Sequence, residues 1–122
     1  MRDAELRVRI ASVAGLGGRV YALGIPADAT LPAAAYQLVA SEPIRSLNGV
    51  EMVRRQWRIT IHAEQIAQAR QLAEQVRAAL EGWSARAGGI EIARVEDIGE
   101  SLVDFGDGQA VAVSLSVVVT EV

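Results

Sequence analysis

The chain reads as an α+β domain: a mostly antiparallel β-sheet with two helices packed on one face and a long hairpin arm. Three stretches carry this reading. From Met52 to His62 the residues alternate, with Val53, Arg55, Trp57, Ile59 and Ile61 leaving one side and Met52, Arg54, Gln56, Arg58, Thr60 and His62 the other. From Ala63 the period lengthens to three or four, so Ile66, Ala69, Ala73, Val76 and Leu80 share one helical stripe. Ala110 to Val122 alternates again, with Val111, Val113, Leu115, Val117 and Val119 on one face and Ala110, Ala112, Ser114 and Ser116 on the other. A helix that follows a strand with almost no loop folds back on that strand's apolar face. The polar face is left for another surface.

Taken in order, Asp3 to Ala14 predicts a first helix, with Leu6, Ile10 and Val13 on one stripe and Asp3 and Glu5 in the first turn, where the helix dipole favours acids. Gly15, Gly17 and Gly18 end it. Val20-Tyr21 predicts a short extended piece, followed by a loop punctuated by Gly24, Pro26 and Pro32. Ala34 to Ser41 predicts a strand, with Tyr36 and Leu38 on one side and Ala35, Gln37 and Val39 on the other. Between it and the Met52 strand, Asn48-Gly49 is a strong turn signal because both residues tolerate positive φ, so the two strands form a hairpin. After the second helix, Gly82 and Gly88-Gly89 break the pattern and Ile90 to Val95 begins a new strand. Gly106-Asp107-Gly108 supplies a turn into the last strand, which at about 3.3 Å per residue spans roughly 40 Å.

The 122 residues fit one domain, residues 1–122, able to bury a core without covalent staples. Aromatic residues are scarce and Ala and Val abundant, which favours close packing of helices on a sheet over large ring-lined pockets, and no cofactor is expected. The absence of cysteine excludes disulfides, thiolate chemistry and Cys-containing zinc sites. A net charge of −3 argues against a tight grip on nucleic acid, because such proteins displace phosphate counterions with net positive charge. All the basic residues are arginine, as a GC-rich coding sequence would produce. Asp3 and Glu5 stand where a secretory leader would need an apolar core, and no run approaches the roughly 18 apolar residues of a membrane span.

The chemistry-bearing residues point away from catalysis. His62 is the only histidine and lies beside Glu64, but the local spacing supplies no further ligands, so it reads as a surface histidine at a strand end. Glu91, Glu96, Asp97, Glu100, Asp104 and Asp107 lack the ordered register of a calcium loop and read as a solvated face. Asp104-Phe105-Gly106 matches the magnesium tripeptide of kinases in a chain with no lysine and too short for a kinase. Gly15-Leu16-Gly17-Gly18 follows a helix, whereas a phosphate-cradling loop follows a strand and opens a helix. The informative positions are instead those of an interface. Arg54 and Arg58 share the polar face with Gln56 and Thr60, where arginine pairs with carboxylates of a neighbour. Ile44, Leu47, Val50 and Met52 place apolar side chains on a protruding hairpin arm, and exposed apolar patches mark protein contacts. Folding of the same arm back onto the core is the competing reading.

Gly17-Gly18-Arg19-Val20-Tyr21, the Pro26 loop, Leu31-Pro32 leading to Tyr36-Gln37, and Glu42-Pro43 form a succession of short motifs. With Arg55 to Ile61 and the alanine- and arginine-rich helix Ala63 to Leu80, they resemble the small tail-completion proteins of long-tailed bacteriophages. The resemblance implies a tail terminator in the virion: a non-enzymatic protein, assembled in the host cytoplasm, that forms a ring, commonly six-membered, at the head-proximal end of the tail tube. It implies contacts with copies of itself, with the tail tube protein and with head–tail connector proteins, and passage of DNA through the opening without specific binding. No catalytic, cofactor or metal residue is carried over, and Ile44, Leu47, Val50, Met52, Arg54 and Arg58 are interface positions from patterning alone. The same order of elements also fits a small ferredoxin-like regulatory or ligand-binding domain that dimerises through its sheet.

Overall fold

The structure is a computed structural model that describes residues 3–45, 51–103 and 111–122. Helix α1 (Asp3–Ala11) leads through a 3₁₀ turn (Ala14–Leu16) into strands β1 (Val20–Ala22), β2 (Ala33–Arg45) and β3 (Glu51–Ala63). Helix α2 (Ile66–Leu80) follows, then β4 (Ser84–Ala87), β5 (Ile90–Val103) and β6 (Val111–Glu121). The six strands make one sheet in the order β1-β2-β3-β6-β5-β4, antiparallel throughout except for the parallel β1–β2 pair. This mixed α+β sheet curls into a half-barrel with both helices on one face. The order is not ferredoxin-like, which sets a helix after the first and third strands: among the described residues only α2 lies between strands, and β1, β2 and β3 follow one another without a helix.

The core lies between the helices and one face of the sheet. Strand β3 contributes Trp57, Ile59 and Ile61, β6 contributes Val113, Leu115, Val117 and Val119, and β2 contributes Ala34 and Tyr36. Their alternate spacing sends them all to one side because the strands are in register: Tyr36 opposes Ile59, and Ile59 opposes Leu115. From the helices, Leu6 and Ile10 of α1 and Ala69, Leu72, Ala73, Val76 and Leu80 of α2 close over them. Small alanines at 69 and 73 let α2 approach the sheet closely. Tyr36 and Trp57 pack with ring centroids 6.4 Å apart at 54°, a tilted aromatic pair.

Several boundaries differ from the sequence expectation, each for a local reason. The first helix stops at Ala11 and tightens into the 3₁₀ turn, which keeps Val13 and Leu16 on the core side. Strand β3 runs to Ala63, so α2 starts three residues later and Ile66, expected on the apolar stripe, is exposed. Strand β2 continues past Ser41 to Arg45 but shifts register between Leu38 and Ala40, a bulge that ends simple alternation there. Strand β4 was not expected; Gly88 and Gly89, both at positive φ, turn it directly into β5. The turns at Asn48-Gly49 and Gly106-Asp107-Gly108, and the Asp104-Phe105-Gly106 tripeptide, lie outside the described residues.

Candidate functional site

The side of the sheet that the helices leave uncovered is the candidate surface. Cross-strand register arranges it as rows running across the strands. Glu42, Arg54, Thr120 and Arg94 form one row across β2, β3, β6 and β5. Next come Ala40, Gln56, Val118 and Asp97, then Gln37, Arg58, Ser116 and Gly99, then Ala35, Thr60, Ser114 and Ser101. The central rows mix polar side chains with small ones, and Val118 is their one large apolar member, as expected for a wetted sheet face instead of a second core. Gln56 Nε2 donates to Ser116 Oγ at 3.0 Å, a cross-strand bond that fixes the middle of this surface.

Toward the far end of the hairpin the charges pair with one another. Arg54 reaches Glu42 at 3.4 Å and Glu96 at 4.0 Å, and Arg94 reaches Glu96 at 3.8 Å and Glu91 at 3.6 Å. These exposed pairs contribute about 0–1 kcal/mol each, so they organise the surface more than they stabilise the fold. The network roofs over Thr120, which is buried even though it faces away from the helices, and whose Oγ1 has no partner among the described residues. On the helix side of the same end, Arg55 pairs with Glu121. Burial alone would raise the Glu121 carboxyl, but neighbouring positive charge, Arg55 included, outweighs it and holds the pKa below the usual value. Burial lowers the pKa of His62, near the other end of the uncovered face, and favours its neutral form.

The expected interface residues come together in part. Ile44 and Met52 oppose each other across the hairpin, both half-buried, and Arg54 and Arg58 lie on the same face farther along β3. Leu47 and Val50 lie outside the described residues. Arg54 is engaged by its own chain, whereas Arg58 is exposed and has no ion-pair partner among the described residues. Sequence patterning missed the most exposed apolar side chains, Leu23, Val8 and Val122, together with Leu38 and Val39 beside the bulge. Val8 stands two residues from Leu6, off the stripe of Leu6, Ile10 and Val13, so the helical period already sets it on the outer face of α1. Among the described residues no group of three or more His, Cys, Asp or Glu side chains is placed to hold a metal ion. No helix among them is long and apolar enough to cross a membrane.

Residues 4–121 match the family described as tail completion protein gp17. No curated protein matches the chain. Among solved structures, a chain of the virion of a native gene transfer agent particle is similar at a TM-score of 0.58 and 14% identity, over 92% of this chain and 83% of that one. At that identity the likeness speaks to the fold.

Proposed function

Because the chain belongs to the tail completion protein gp17 family, a structural and non-catalytic component of phage tails, we propose that it is a single-domain tail terminator. Copies of it form a closed ring, six-membered in this reading, at the head-proximal end of the tail tube. There they end tube growth and join the tail to the head through connector proteins, after assembly in the host cytoplasm. The observation that carries the reading is a sheet covered by helices on one face only. Its other face carries small and polar side chains across its middle and paired charges toward the hairpin, and among the described residues no group of three or more His, Cys, Asp or Glu side chains is placed to hold a metal ion.

In this arrangement the hairpin arm, with Ile44, Met52, Arg54 and Arg58, reaches the next subunit, and the remaining uncovered face borders the opening. Closure by rotation satisfies every subunit with the same contact and leaves no end to grow from. A wall of Ser, Thr and Gln side chains in a chain of net charge −3 suits transit of DNA, which has to leave during ejection. Particles made without this chain test the assignment: overlong tubes or tails unjoined to heads are expected, restored by supplying the chain in trans. Normal, joined tails in its absence would overturn it.

A further inference from the structure

We infer that the uncovered face holds a bound-water site beneath its charge network, at the root of the hairpin arm, with Thr120 as the floor. The site belongs to the single chain and stands apart from the ring reading. A recess of about 120 Å³ lies there, lined by Met52, Ile92, Thr120, Glu91, Arg94 and Glu96, with room for several water molecules.

Three observations converge on it. Thr120 is 5% exposed and its Oγ1 is shut off from bulk solvent, yet no group among the described residues hydrogen-bonds to it. A buried hydroxyl without a partner costs free energy, and the recess is the space that the structure leaves beside it. The ion pairs around the recess are also too long for direct hydrogen bonds. Arg94 stands 3.6 Å from Glu91 and 3.8 Å from Glu96, and Arg54 stands 4.0 Å from Glu96, separations that a shared water bridges. Away from the recess the pairs close directly, Arg54 donating to Glu42 and Arg55 to Glu121. Finally, β5 shifts register between Val95 and Asp97, so Glu96 is an extra residue in the strand, and its carboxylate lies against both Arg54 and Arg94.

The lining selects the occupant by charge. A cation would meet Arg94, an anion would meet Glu91 and Glu96, and among the described residues no group of three or more side chains is placed to hold a metal ion. A small neutral molecule that both donates and accepts suits all of these groups, and water is that molecule. It takes Thr120 Oγ1, the Glu96 carboxylate and the Arg94 guanidinium as partners, within the roughly two to four hydrogen bonds that a buried water makes. Thr120 pairs with Arg54 on one side and Arg94 on the other, so the water joins β3, β6 and β5 where the arm leaves the sheet.

Thr120→Val tests the site by the sign of its effect, because valine keeps the shape of threonine and lacks the hydroxyl. With water bound, the variant loses hydrogen bonds, and its melting temperature is expected to fall by about 3–5 °C. A hydroxyl with no partner would make the same change neutral or stabilising, so an equal or higher melting temperature would overturn the site. Water–protein NOE spectra of the wild-type chain read the site without any variant. They are expected to show long-held water at the Thr120 methyl group, and spectra without it would overturn the site even if the valine variant melts lower. Both measurements use the isolated chain, so neither outcome bears on whether copies form a ring.

Discussion

Leu23 sits at φ +72° with its N–H donating to the Tyr36 carbonyl at 2.8 Å, so the backbone holds it in a conformation its side chain opposes. Asparagine tolerates that region better. Leu23→Asn is expected to stabilise the isolated chain by about 1 kcal/mol in thermal melts, and a lower melting temperature would contradict the strain. The titrating side chains give a second expectation. Glu121 has a folded pKa below its ordinary 4.5, so its stabilisation is present above that value and is lost as pH falls through the folded one. His62 has a folded pKa below 6.5, so the unfolded chain takes up the proton first and stability falls as pH drops below that value. Both act in the same direction. Melting temperature is expected to decline from neutral pH downward; His62→Gln should remove the part of the decline that begins near 6.5, and Glu121→Gln the part below 4.5. Unchanged pH profiles in both variants would contradict these assignments.

At the scale of elements, α2 is held by Ala69, Ala73, Val76 and Leu80, which its sequence period announces, and by Leu72, which that stripe does not include. Leu80 is fully buried at the C-terminal end, and Leu80→Ala is expected to cost about 2–5 kcal/mol in chemical unfolding. Ile66 belongs to the same numerical stripe but is 39% exposed, and Ile66→Ala should cost no more than about 0.5 kcal/mol. Equal costs would mean that the helix docks along its whole length. The contrast shows what the sequence makes legible. Alternation in β3 and β6 announces which face is buried because one side of each strand is apolar over a long run. Helix onset depends on where β3 releases the chain, which periodicity does not encode. Strand β4, Ser84-Ala85-Arg86-Ala87, alternates over only four residues with nothing larger than alanine on its apolar side, and is a strand because Gly88-Gly89 returns the chain as β5 beside it. The bulge at Leu38–Ala40 is hidden for a similar reason: the register slip is fixed by pairing with β3, so the exposed edge residues it creates follow from the fold and not from their own spacing.

At the scale of the whole molecule, two helices cover one face of a six-stranded half-barrel and leave the other face largely polar, while Val8, Leu23, Leu38, Val39 and Val122 stay exposed. Such a molecule is complete as a fold and incomplete as a surface. Arg58 separates these two properties: it is exposed and has no ion-pair partner among the described residues. Arg58→Ala should change stability by no more than about 0.5 kcal/mol while reducing ring yield, and wild-type yield would remove it from the contact. The most direct test is electron microscopy of purified tail tubes saturated with the chain, averaged end-on. A closed ring of identical copies around an open centre, at one end of each tube, is the predicted image. Single copies scattered along the tubes, or bare tube ends at saturating concentration, would contradict it.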